Sequence, residues 1–161
     1  MRRRTFVALG ANLGDPMRTL AAALESLPGL VAVSNLYETE PVGGPPGQPR
    51  YLNAVAELAS EAGPFALLDE LLAIEARHGR VRLVPNGPRT LDLDIIWMDG
   101  VLVSSPPRLV VPHPRAASRP FVLWPLADLD PELAERLAAA PLASLARPTV
   151  VAWARGSTWF R

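Results

Sequence analysis

Gly87-Pro88-Arg89-Thr90-Leu91-Asp92-Leu93-Asp94-Ile95-Ile96-Trp97-Met98-Asp99-Gly100 decides how this chain folds. From Thr90 to Trp97 apolar and polar residues alternate, the period-2 pattern of a strand with one face on a core. Leu91, Leu93 and Ile95 are expected on the core side and Asp92 and Asp94 together on the other, two rises of roughly 3.3 Å apart. Asp99-Gly100 reads as a hairpin turn leading into Val101 to Val103. Upstream, Thr5 to Leu9 reads as a short buried strand ended by Gly10. Asp15 and Pro16 then open a helix to about Leu27. Leu30 to Tyr37 and Asn53 to Leu58 read as strands on either side of a Gly/Pro-dense loop, Pro41 to Pro49. Pro64 opens a helix whose Leu67, Leu68, Leu71, Leu72 and Ile74 form one apolar face, and Gly79 stops it. The order βαββαβ predicts an α+β fold, a ferredoxin-like plait with an antiparallel sheet backed by helices.

C-terminal additions follow: a proline-rich loop, a short helix near Phe121 to Leu126, a helix opened by Asp130-Pro131, and a last strand at Thr149 to Trp153. No repeat or linker divides residues 1–161, so a single domain is expected, and 49% hydrophobic residues suffice for one core.

Charge narrows the function. Sixteen basic and sixteen acidic residues cancel, so no global field draws the chain to nucleic acid or to an anionic membrane. All sixteen basic residues are arginine, which rules out a P-loop lysine, a kinase-type strand lysine and a Schiff base. Phosphate, if handled, must be met by arginine forks and metal ions. With no cysteine and only His78 and His113, thiolate and His-rich metal sites are absent too. No run reaches the length of a membrane span, and the charged start lacks a signal peptide's apolar stretch, so a cytoplasmic enzyme or binding module is expected.

Asp92 and Asp94 side by side, with no soft ligand near, suit a hard cation such as magnesium, which uses one or two carboxylates and completes its shell with phosphate oxygens and water. Alternation alone is equally satisfied by a half-exposed strand with acidic outward residues. The company of these residues favours the metal. GPRTLDLDI (87–95) is accompanied by ALGANLGD (8–15), YETEPVG (37–43), Gln48-Pro49, Tyr51-Leu52-Asn53, Ile74-Glu75, Gly79-Arg80-Val81-Arg82, Val111-Pro112-His113, Arg119, Phe121 and Leu123-Trp124-Pro125-Leu126. In this order the set resembles the 6-hydroxymethyl-7,8-dihydropterin pyrophosphokinase family, over almost the whole chain up to Leu126.

The resemblance implies a transferase of folate biosynthesis that moves pyrophosphate from ATP to the pterin alcohol and releases AMP. It implies that Asp92 and Asp94 hold two magnesium ions, and that Arg80 and Arg89 join them as catalytic residues on the transferring phosphates. Glu75, Arg80, Arg82, Ile95, Arg108, His113 and Arg119 match ATP positions. Thr39, Val42, Tyr51, Asn53 and Phe121 match the pterin site, with Tyr51 and Phe121 as its stacking pair. Taken singly these residues have plainer readings. His113 is then a hydrogen-bonded structural histidine, Tyr51 and Phe121 are core, Asn53 opens a strand, and Glu75 pairs with Arg77 or His78 at the surface. The chain departs from typical bacterial members at Leu83-Val84-Pro85-Asn86, one residue shorter and without tryptophan, at Pro114 in place of an aromatic, and at Val110 in place of threonine. ATP and the pterin are the expected partners, without nucleic acid or membrane, and a monomer is expected. The alternatives are a catalytically weak homologue that binds pterin and ATP, and a ferredoxin-like regulatory binding module.

Overall fold

The computed structural model describes residues 1–41, 44, 46–79, 91–151 and 159–160. The chain order is β1 (Arg3–Ala11), α1 (Pro16–Ser26), β2 (Leu30–Val33), β3 (Tyr37–Thr39), β4 (Tyr51–Ser60), α2 (Pro64–Arg77), β5 (Asp92–Met98), β6 (Val103–Ser105), β7 (Leu109–Val111), α3 (Pro120–Leu129), α4 (Pro131–Leu137) and β8 (Thr149–Val150), with single 3-10 turns at Ala116–Ser118 and Leu142–Ser144. The main sheet is antiparallel throughout, in the order β5-β1-β4-β3-β8, with β2 also paired to β4.

β1 has a neighbour on each edge, one face covered and the other covered in part, so it is largely apolar, and Phe6, Val7, Leu9 and Ala11 are buried. It does not end at Gly10 as the sequence suggests. The ladder to β4 continues through Gly10↔Asn53 and Ala11↔Leu52, since hydrogen bonds to β4 and β5 hold the glycine extended. α1 and α2 start as read. The Asp15 side chain accepts from the Arg18 amide at 3.2 Å and Pro16 and Pro64 sit in the first turns; α2 ends against Gly79 at φ 71°.

Two cores flank the sheet. On one face Val7, Leu9, Ala54, Ala56, Leu58, Leu93 and Ile95 meet Leu20 and Leu24 of α1 and Leu67 and Leu71 of α2. On the other, Phe6, Val55 and Ile96 meet Val122, Leu123 and Leu126 of α3, Leu133 and Ala134 of α4, and Leu142. The C-terminal additions therefore cover part of the second face and leave the rest open.

Three expectations are corrected. The strand read as Leu30 to Tyr37 is split, because three residues, Ser34 to Leu36, face only Val55 and Ala54 between the pairs Val33↔Ala56 and Tyr37↔Asn53. Ser34 keeps this bulge satisfied: its amide donates to Val55 O and its Oγ accepts from the Val55 amide, both at 2.9 Å. The turn at Asp99-Gly100 forms, with the Val101 amide donating to Met98 O at 3.1 Å, but it does not make a hairpin. The following strand instead pairs with β7 in a separate two-stranded sheet. That strand, Leu109–Val111, lies within the segment read as proline-rich loop. Of the last strand, Thr149–Val150 is observed, and Ala152 and Trp153 lie outside the described residues.

Candidate active site

On the open part of the second face the central strand carries Ala8 and Gly10, side chains too small to fill the space above them. An open cleft results. Asp92, Asp94 and Ile96 of β5 line one side, Thr39, Tyr51 and Asn53 the other, and Glu40, His113, Arg119, Phe121 and Val122 the rim and far wall.

Asp92 and Asp94 share the cleft face, as the alternation predicts, while Leu91, Leu93 and Ile95 are buried on the opposite side. Beyond them the alternation breaks. The register to β1 steps from Val7↔Ile95 to Phe6↔Trp97, leaving Ile96 as an extra residue. This bulge sends Ile96 and Trp97 toward the second core and returns Met98 to the first. It also frees the Ile96 carbonyl, which accepts from the His113 amide at 3.0 Å and so ties the histidine to the carboxylate strand.

His113 Nδ1 accepts from the Arg115 amide at 3.2 Å, which leaves its proton on Nε2, 4.0 Å from Asp94 Oδ1. Burial is the largest influence on the ring and lowers its pKa from the ordinary 6.5, Arg119 and Arg115 lower it further, and Asp92 acts in the opposite sense. The imidazole is therefore neutral at pH 7 and presents a donor to the cleft. Arg119 stands with its guanidinium 5.6 Å from the centre of the Phe121 ring.

Across the floor, Asn53 is buried and its Nδ2 donates to Thr39 Oγ1 at 2.7 Å, which fixes the amide's orientation. Asn12, also buried, donates to Pro49 O at 3.1 Å and Gln48 Oε1 at 3.4 Å, tethering the end of the Gly/Pro loop to the turn after β1.

The other residues singled out in the sequence lie differently. Glu75 is only 3% exposed, so it is not a surface ion-pair partner of Arg77 or His78. Its Oε2 accepts from the Leu93 amide at 2.7 Å, on the strand between the two aspartates. Ile95 turns its side chain into the first core. Arg108 is exposed, with Nη2 3.1 Å from Asp69 Oδ1 and its guanidinium 5.0 Å from the Phe65 ring centre. None of these three lines the cleft. Val42, Arg80, Arg82 and Arg89 lie outside the described residues. Ala8, Gly10, Glu40, Ile96 and Val122 also line the cleft and are not among the sequence-predicted site residues. For Gly10 a signal existed, a glycine inside an apolar strand, which marks close approach by another group.

Comparison with known proteins decides the family. Residues 6–131 match the family model described as 7,8-dihydro-6-hydroxymethylpterin-pyrophosphokinase. The chain belongs to this pyrophosphokinase family. A pyrophosphokinase of Pseudomonas aeruginosa, named for 2-amino-4-hydroxy-6-hydroxymethyldihydropteridine, is 48% identical over 160 residues, covering 91% of this chain and 98% of the relative. The equivalent from Haemophilus influenzae is 42% identical over 133 residues, 80% of this chain and 82% of the relative. Among solved structures, a Plasmodium falciparum HPPK-DHPS triple mutant with pteroate aligns with TM-score 0.65 at 13% identity, over 89% of this chain and 40% of that one, a likeness of fold. Family membership gives no support to the regulatory-module alternative. No helix among the described residues is long and apolar enough to cross a membrane.

Proposed function

We propose that this cleft transfers the pyrophosphoryl group of ATP to the hydroxymethyl oxygen of 6-hydroxymethyl-7,8-dihydropterin, yielding AMP and the pterin diphosphate of folate biosynthesis. One observation carries the reading: paired carboxylates and a ring-binding wall share one cleft, on either side of Gly10.

The pterin is a flat bicycle with an amide-like edge. Tyr51 and Phe121 supply aromatic faces, the oriented Asn53 amide reads the edge, Thr39 completes the wall, and Val42 is assigned to the pterin as well. Glu75, Arg80, Arg82, Ile95, Arg108, His113 and Arg119 are assigned to ATP.

Among the described residues no group of three or more His, Cys, Asp or Glu gathers as a metal cage. Two hard carboxylates alone fit magnesium, which needs few protein ligands when phosphates supply the rest. Asp92 and Asp94 would hold two such ions, whose charge offsets that of the phosphates and eases loss of the hydroxyl proton. The pterin oxygen forms its bond to the β-phosphorus as the bond from that phosphorus to the bridging oxygen of AMP breaks, and the hydroxyl proton leaves to solvent. His113, neutral with its proton on Nε2, acts as a donor to phosphate oxygen rather than as a base. Arg80 and Arg89 meet the charge of the transferring group.

The reading includes a ferredoxin-like plait, supported by the order β5-β1-β4-β3 with α1 and α2 as crossovers. It also includes one domain over residues 1–161, acting as a monomer in the cytoplasm. Incubation with ATP, magnesium and the pterin should release AMP in a pterin-dependent manner, with the pterin diphosphate as coproduct by chromatography. ADP as the product, or no pterin-dependent AMP, would overturn it.

A further inference from the structure

The stretch matched by the family model ends at residue 131, yet the chain beyond it returns to pair with β3, the strand that carries Thr39. β3, which carries Thr39, is three residues long and lies between the Ser34 to Leu36 bulge and the Gly/Pro loop. On one edge it has β4. On the other it has β8, through Tyr37↔Val150 and Glu38↔Thr149, and the Val151 amide donates to Leu36 O at 2.9 Å. Further along, Trp159 Nε1 donates to Ser34 O at 2.8 Å, within the bulge, and Phe160 is buried in the first core. Arg147, 5.2 Å from the Trp124 ring centre, approaches Asp128 Oδ1 at 3.8 Å, while Asp128 Oδ2 accepts from the Tyr37 hydroxyl at 2.7 Å. The β8 pairings, the Val151 and Trp159 donors and the Tyr37–Asp128 bond hold β3 or its bulge, and none of these residues lines the cleft.

The pairings Val150↔Tyr37↔Asn53↔Gly10↔Asp92 form one row across the sheet, from the C-terminal strand to a cleft carboxylate. We infer that the C-terminal segment, through Val150, Val151 and Trp159, is a positioning element for the pterin pocket: it fixes β3, and with it Thr39 and the Asn53 amide that Thr39 orients. Without β8, a three-residue strand next to a bulge has a single ladder to set its place, and a lone short edge pairing is marginal. The inference rests on the assignment of Thr39 and Asn53 to the pterin.

Val151→Pro removes the amide donor to Leu36 O, Val151→Ala keeps it, and Trp159→Phe removes the indole donor to Ser34 O while keeping an aromatic ring. Calorimetry on the full chain, with the pterin and separately with a non-hydrolysable ATP analogue and magnesium, gives the test. Val151→Pro and Trp159→Phe should each weaken pterin binding about tenfold, the scale of a modest displacement of positioning groups, with the nucleotide constant held within about twofold. Val151→Ala should bind the pterin nearly as wild type does. Equal losses for both ligands, or unchanged pterin binding in folded Val151→Pro, would overturn the inference. If Val151→Pro fails to fold, Trp159→Phe decides alone by the same criterion. Wild-type protein that binds no pterin would instead remove the pocket assignment, and the inference with it.

Discussion

Asn53 and Asp92 face each other across Gly10: the glycine is the register partner of Asn53 on β4 and of Asp92 on β5, so the three lie in one row on the cleft floor. A Cβ at Gly10 would stand 3.0 Å from Asn53 Oδ1. The Asn53 amide cannot simply turn away, because its Nδ2 is committed to Thr39 Oγ1. Gly10→Ala should therefore weaken pterin binding about tenfold while nucleotide binding and melting temperature change little, since displacement of a positioned group by a fraction of an ångström is felt mainly by the ligand it holds. Titration of each ligand by calorimetry checks this, and equal losses would place the effect in the sheet as a whole.

Asp92→Ala and Asp94→Ala should each nearly abolish AMP release. Both carboxylates face the cleft rather than either core, so the variants should melt close to wild type. Full turnover in either variant would remove the metal assignment.

The residues that made the site legible are those whose signal is local. Alternation placed Asp92 and Asp94 on one face because strand periodicity depends on neighbours in sequence alone. The same alternation misplaces Trp97 and Met98, since a bulge is a mismatch with a partner strand and leaves no trace in the pattern of one strand. β2 and β3 read as one strand for a similar reason: the Ser34 hydroxyl replaces a backbone acceptor, and serine is unremarkable within a run of branched residues. Turn chemistry at Asp99-Gly100 was read correctly, but a turn does not choose the partner of the strand that follows it, and β6 pairs with β7. Glu75 looked like a surface group because its acceptor role depends on an amide 18 residues away.

That carboxylate offers its own test. Burying a carboxyl group is unfavourable by desolvation, and the bond from the Leu93 amide helps to offset that cost. Glu75→Leu leaves the amide of an edge strand without this partner and should cost about 1–3 kcal/mol of stability. Glu75→Gln keeps a side-chain oxygen for that amide and should restore most of it. Urea unfolding of both variants measures the difference, and equal losses would show that the charge, rather than the acceptor, is what the site retains.

Arg80→Ala and Arg89→Ala should lower kcat far more than they weaken ATP binding at equilibrium, if these side chains meet the phosphates only as transfer proceeds. Removing one such contact should cost on the order of 2.7–4 kcal/mol in activation free energy. Single-turnover rates set beside equilibrium nucleotide binding separate the two effects, and a defect wholly in ATP affinity would make these arginines ground-state binders.

Asp130 joins the C-terminal helix to β1 and should give the protein an acid-sensitive step in stability. Its carboxylate accepts from the Leu133 amide at 2.9 Å as the N-cap of α4 and pairs with Arg4, which also bonds Glu57 at 2.7 Å. The Leu133 amide is the largest cause holding the Asp130 pKa below the ordinary 3.8, the Arg4 hydrogen bond adds to it, and desolvation opposes both. Because the folded value lies below the unfolded one, the unfolded chain takes up the proton first as pH falls. The contribution is therefore complete above about 3.8 and is lost as pH drops through the folded value. Asp130→Asn keeps a capping oxygen but cannot titrate, so it should be less stable than wild type by about 1 kcal/mol near neutral pH, a figure kept small by the partial exposure of the Arg4 pair. The gap between the two proteins, followed by urea unfolding from about pH 6 down to about pH 2, should close as the wild-type carboxylate protonates. A gap that stays constant over that range would mean that the charge of Asp130 plays no part in the difference.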